Sequence, residues 1–142
     1  MPDLREHTHA GRGIMPATIQ PKPNMDIFYV FHLEAARRLP HLAADHPCAR
    51  VHGHSFRVEI HVSGPLHPDL GWVVDFAEVE AAVQGVRDKL DHRYLNDLPG
   101  LANPTSEHLA IWIWEHLKTD LPGLSKVIVQ ETAHSGCVYT GD

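Results

Sequence analysis

Cys48, His52 and His54 are the residues of this chain whose types and spacing most readily do chemistry. The two histidines stand two apart at the start of a strand-like run. A period of two turns both imidazoles to one face, where they can share one ion. Gly53 between them removes a side chain from the opposite face and allows close backbone approach. A His-x-His pair alone is weak evidence, since histidines usually do something duller. Cys48 adds weight from a polar, proline-containing loop four residues ahead. A thiol near a divalent cation or an imidazolium shifts toward thiolate, the form able to act as base or nucleophile. The plainer alternative is a small buried hydrophobe.

Two further groups could contribute. Asp91-His92 closes a predicted helix, where a carboxylate can orient an imidazole and helix polarity favours its protonated form. Adjacent residues need not bond to each other, so a capped helix end with exposed charge is the alternative. Glu131 lies near the end of an apolar strand, on the face of Val127 and Val129. A carboxylate there stands either in solvent at a sheet edge or in position to accept two N–H bonds from a ligand. Trp72, Phe76, Trp112 and Trp114 could form a stacking platform, but large aromatics more often fill a core and are read that way. Most of the 13 histidines are expected at the surface.

The elements that must position these groups are legible. Asp26 to Ala36 is rich in aromatic and branched residues and reads as a strand. Residues 38–51, with Pro40 and Pro47, form a long loop, a length usually kept for function or disorder. His54 to Ser63 alternates Phe56, Val58, Ile60 and Val62 with polar residues, a half-buried strand. Gly64-Pro65 and Pro68-Asp69 turn the chain. Asp75 to Glu78 resembles a capping box, followed by Val79, Ala82, Val83, Val86 and Leu90 at helical spacing. A second helix follows Asn103-Pro104-Thr105, with Leu109, Trp112, Ile113 and Leu117 on its apolar face and Pro122-Gly123 to stop it. Lys126 to Thr132 and Gly136 to Thr140 complete the strands. The order β-β-α-α-β-β specifies an α+β domain, an antiparallel sheet with two helices on one face.

Residues 1–24 hold scattered glycine and proline without apolar period and read as a flexible leader or extension, with Met25 a plausible natural start. Residues 25–142 then form a single domain. The 43% hydrophobic and 21% charged composition is ordinary for a globular protein. A formal charge of -6, with Arg37-Arg38 the one adjacent basic pair, argues against a nucleic-acid partner. No apolar run approaches the ~20 residues needed to cross a bilayer, and no secretory leader is evident. The two cysteines, Cys48 and Cys137, are expected as free thiols in a reducing cytoplasm.

Taken together, several spaced motifs resemble one family. They are Cys48-x-x-x-His52-x-His54, Gly71-Trp72-Val73-Val74-Asp75-Phe76, Leu90-Asp91-His92-Arg93-Tyr94-Leu95-Asn96, Asn103-Pro104-Thr105-Ser106-Glu107 and Glu131-Thr132. The family is the bacterial 6-carboxytetrahydropterin synthases of queuosine biosynthesis, relatives of 6-pyruvoyltetrahydropterin synthase, and the likeness runs from about Phe28 to Tyr139. It implies a tunnelling fold whose subunits form stacked rings, commonly a hexamer. It also implies a zinc-dependent lyase that converts 7,8-dihydroneopterin triphosphate to 6-carboxytetrahydropterin, releasing acetaldehyde and triphosphate. On this resemblance His52 and His54 are zinc ligands, Cys48 abstracts a proton, and Asp91 with His92 is a second acid/base relay. The resemblance also makes Glu131 the anchor for the guanidine-like edge of the pterin, with Thr105 and Ser106 nearby; released triphosphate needs basic groups, for which Arg38 and Arg50 are the candidates.

One position departs from the pattern. The family carries a third zinc histidine in a Glu-Ala-Ala-His-Arg-Leu-Pro stretch, where this chain reads Glu34-Ala35-Ala36-Arg37-Arg38-Leu39-Pro40. Arginine is always protonated, so it cannot replace a ligand, and its charge opposes a dication. Weakened or absent zinc is the expectation. His41 could swing in from the loop; His32 should face the other way unless a bulge intervenes. Two alternatives stand beside the lyase: 6-pyruvoyltetrahydropterin synthase activity, and a pterin-binding protein with impaired catalysis.

Overall fold

The computed structural model describes residues 24–142. The proposed leader lies outside them except for Asn24, which opens the first strand rather than ending a leader. The strands are β1 (Asn24–Arg37), β2 (His52–Pro65), β3 (Leu124–Gln130) and β4 (Gly136–Tyr139), with α1 (Phe76–Leu90) and α2 (Ser106–Leu117) between β2 and β3. The sheet runs β1-β2-β3-β4 with every neighbouring pair antiparallel, as the element order required. β1 and β2 pair along their whole length, from Asn24 opposite Pro65 to Arg37 opposite His52.

Alternation decides which face is covered. Phe31, Leu33 and Ala35 of β1, Phe56, Val58, Ile60 and Val62 of β2, and Val127 and Val129 of β3 point to one face and are buried. The helices lie on that face and contribute Val79, Val83, Val86 and Leu90 from α1 and Leu109, Ile113 and Leu117 from α2. Each fully buried aliphatic side chain of this size is worth about 1.5–3 kcal/mol.

Several local expectations change. The Asp75 side chain caps α1 through the Ala77 N–H at 2.9 Å, while Glu78 gives its own N–H to the Asp75 carbonyl. α2 ends at Leu117, ahead of Pro122-Gly123. β3 stops at Gln130, so Glu131 and Thr132 leave the ladder and both direct their N–H groups to the Ser135 carbonyl. Trp112 is core and Trp114 packs on Tyr139, but Trp72 is 42% and Phe76 56% exposed. These two precede or open a helix and lie outside its apolar stripe. No helix among the described residues is long and apolar enough to cross a membrane.

Candidate active site

Beyond the helices the covered face of the sheet continues past its apolar core, and polar groups gather there. Arg37, last in β1, keeps the inward parity of Leu33 and Ala35 and is only 2% exposed. Its guanidinium crosses β2 above the Phe56 ring, 5.2 Å from the ring centre. One terminal nitrogen donates to Glu131 Oε1 at 2.7 Å, and the other donates to the Pro104 carbonyl at 3.1 Å and approaches Ser106 Oγ at 3.5 Å. Its Nε has no partner. Strands lie about 4.8 Å apart, so only a long side chain on β1 reaches past β2 to a carboxylate just beyond the end of β3.

Glu131 stands at the N-terminus of α2. The Ser106 hydroxyl donates to the same Oε1 that accepts Arg37. Burial pushes this carboxyl upward, but the Ser106 hydroxyl and the Arg37 guanidinium outweigh it and hold it below its ordinary range. Thr105 caps α2, accepting the His108 N–H at 3.1 Å, so its hydroxyl is committed to the helix that delivers Ser106.

His52 and His54 share the face of Phe56, their rings edge to face at 4.9 Å, with His54 and Phe56 at 5.5 Å. His52 Nδ1 donates to the Arg50 carbonyl at 2.7 Å. Nδ1 therefore carries a hydrogen, and Nε2 is buried without a partner. Burial, then the charge of Arg37, push His54 below its ordinary pKa; Glu131 opposes this and His52 adds to it. Gly53 has room for a methyl group, whose nearest neighbour would be the Ala35 carbonyl at 3.9 Å. Its lack of a side chain thus leaves space in a groove and does not relieve a backbone contact.

Cys48 sits in a single turn of 3-10 helix, Pro47–Ala49, half-exposed and unoxidised like Cys137. Its N–H donates to His46 Nδ1 at 3.0 Å and its carbonyl accepts the Leu39 N–H, so the loop is folded back on itself. Arg38 braces it, donating from Nε to the Ala49 carbonyl and from its backbone N–H to Asn96 Oδ1. The Arg50 side chain is exposed, and the contribution of this residue to the site is the carbonyl that orients His52.

Asp91 and His92 dock on the edge of β1. Asp91 Oδ1 accepts the Glu34 N–H at 2.9 Å, and Oδ2 faces Arg87 at 3.2 Å and His92 Nδ1 at 3.1 Å. Chiefly that backbone bond from Glu34 holds the Asp91 carboxyl below its ordinary range. His92 adopts φ 58°, a left-handed conformation rare for a residue with a side chain, which turns its imidazole back to its neighbour. That ring is 78% exposed. A groove of about 430 Å³ brings His92 together with His54, Gly53, Ser55 and Glu34. Glu34 is the residue that sequence reasoning passed over: it fixes Asp91 through its N–H and accepts Ser55 Oγ at 2.6 Å.

The residues do not fit a three-histidine metal site. His52 has an unpartnered, oriented Nε2, but the position directly across the ladder from it holds the buried Arg37 cation. Among the described residues no three His, Cys, Asp or Glu side chains gather to hold an ion. His32 faces out of the sheet, as strand period requires, and His41 is exposed in a turn.

Known proteins resemble this chain in sequence and, where solved, in fold. A 6-carboxy-5,6,7,8-tetrahydropterin synthase of Synechocystis is 41% identical over 119 residues, covering 80% of this chain and 91% of its own. A 6-pyruvoyl tetrahydrobiopterin synthase of Dictyostelium discoideum is 36% identical, over 67% of this chain and 74% of its own. The solved 6-pyruvoyl tetrahydropterin synthase of Caenorhabditis elegans superposes with a TM-score of 0.79 at 28% identity, over 85% of this chain and 98% of its own. The tunnelling fold expected from the motifs is therefore the observed one. The family model described as 6-pyruvoyl tetrahydropterin synthase matches residues 26–142, and the chain belongs to that family.

Proposed function

We propose that this protein is a carbon-carbon lyase that converts 7,8-dihydroneopterin triphosphate and water to 6-carboxytetrahydropterin in queuosine biosynthesis, with acetaldehyde and triphosphate released. The observation that carries the reading is Glu131, a carboxylate held ionised beside Ser106 where β3 leaves the sheet, in a chain 41% identical to a relative of that name. A carboxylate matches the paired N–H donors of a pterin edge. In this reading Cys48 takes the proton from the substrate side chain. The Asp91–His92 pair acts as the second acid/base group, with Asp91 holding the imidazole in place. Arg38 and Arg50 meet the triphosphate at the loop. Arg37 lowers zinc affinity, and zinc near one equivalent per subunit with ordinary turnover would defeat that part of the reading.

Arg37 also favours a second reading, a pterin-binding protein with little turnover. Incubating the purified protein with 7,8-dihydroneopterin triphosphate, with metal analysis of the same sample, separates the two. Acetaldehyde in stoichiometry with triphosphate supports the lyase. Triphosphate without acetaldehyde points to 6-pyruvoyl chemistry, and pterin binding with neither product supports the second reading.

A further inference from the structure

The interactions of Arg37 have the form of ligand recognition. A flat, resonance-stabilised group carrying paired N–H donors lies over an aromatic ring and donates to a carboxylate. It also gives a hydrogen bond to a backbone carbonyl at the start of α2. The fit is incomplete, because Nε is buried without an acceptor. Glu131 takes both Arg37 and Ser106 on Oε1 and neither on Oε2. A carboxylate committed in this way has one oxygen left for a ligand that needs two.

We propose that Arg37 is an internal occupant of the substrate anchor: its guanidinium holds Glu131 in the place of the guanidine-like edge of a planar heterocycle, and such a ligand binds fully only by displacing it. The proposal rests on the reading of Glu131 as a pterin anchor and deepens it. The same side chain that excludes a third metal ligand then also competes with substrate, so this chain holds its site closed from within.

Two probes test it. Neopterin, followed by its own fluorescence, should bind Arg37→Met at least about tenfold more tightly than the unaltered protein, because methionine keeps apolar volume over Phe56 and frees Glu131. Methylguanidinium at millimolar concentration should raise the Tm of Arg37→Ala by about 4 °C, and should not raise that of the double variant Arg37→Ala, Glu131→Gln. Equal neopterin affinity in the unaltered protein and Arg37→Met overturns the competition. Absence of rescue by methylguanidinium overturns the occupancy. Rescue by methylguanidinium without neopterin binding to any variant upholds a guanidinium site and overturns the pterin reading on which the proposal rests. Should Arg37→Ala not fold, rescue of folding yield by methylguanidinium replaces the Tm measurement, and the Arg37→Met arm stands independently.

Discussion

Removing Glu131 and removing Arg37 have different consequences, because only one of the two side chains is sealed from water. Arg37 is 2% exposed and Glu131 29%. Glu131→Gln leaves a buried cation with only partial compensation from the Pro104 carbonyl. We expect a loss of about 2–3 kcal/mol in urea unfolding, below the full penalty for a stranded buried charge because water reaches Glu131. Arg37→Met removes the cation and keeps the volume, and a carboxylate with Ser106 and some solvent can stand alone. That variant should unfold within about 1 kcal/mol of the unaltered protein. Equal losses in both would mean that the pair is screened as a surface bridge is. At this scale the sequence was informative about residue type and silent about pairing. That Arg37 breaks a ligand pattern was visible in the chain; that its guanidinium reaches Glu131 was not, since the two are 94 residues apart.

Each element carries its own test. Asp26 of β1 ties three strands, accepting Ser63 Oγ at 2.6 Å, Ser125 Oγ at 2.8 Å and facing His61 Nδ1 at 2.6 Å. Burial raises its pKa, but those bonds prevail and lower it to about 2. The folded value lies below the unfolded 3.8. The stabilisation is therefore complete above about pH 4 and drains away as pH falls toward 2. Urea midpoints measured from pH 6 to pH 2 should fall more gently for Asp26→Asn than for the unaltered protein; parallel curves would exclude the linkage. Its size stays near 1 kcal/mol, since the carboxylate is more than a third exposed. On α2, Thr105→Ala removes the cap on the His108 N–H and should lower stability by about 1 kcal/mol. Because α2 carries Ser106 to Glu131, the same change should weaken neopterin binding to Arg37→Met, which isothermal titration can measure.

For the whole molecule, sheet edges that no strand among the described residues pairs point to assembly. β1 and β4 are its outer strands. Among the described residues the end of β1 is covered by the α1 side of the molecule: the His92 N–H reaches the Glu34 carbonyl, the Ala36 N–H the Arg93 carbonyl, the Glu34 N–H Asp91 Oδ1, and Arg87 Nε the His32 carbonyl. Phe28 and Val138, more than half exposed, lie on the face away from the helices. Open edges of this kind invite pairing with another copy. Light scattering tests this: a closed homo-oligomer is the expected outcome, six subunits of 15.9 kDa if the hexamer implied by the sequence resemblance forms. A monomeric mass at micromolar concentration would overturn it. A charge at Val138→Lys, beside the β4 edge, should shift the mass downward if that edge is an interface.

The chain by itself determined the order of elements, the antiparallel sheet and its buried face. Those follow from periods of two and 3.6 and from turn residues, which act over a few positions. It also determined that His52 and His54 share a face and that His32 turns away from the face of position 37, for the same reason. Tertiary structure alone decided what meets at the open end of that face. It set the left-handed turn that brings His92 back to Asp91, the groove that joins His92 to His54, and the reach of Arg37 across β2 to Glu131. Such contacts depend on strand register and on where α2 begins, sums over the whole chain that no local window contains. The histidine pair therefore reads as half of a metal site from sequence, whereas the folded protein sets beside it a cation already engaged with its own acid.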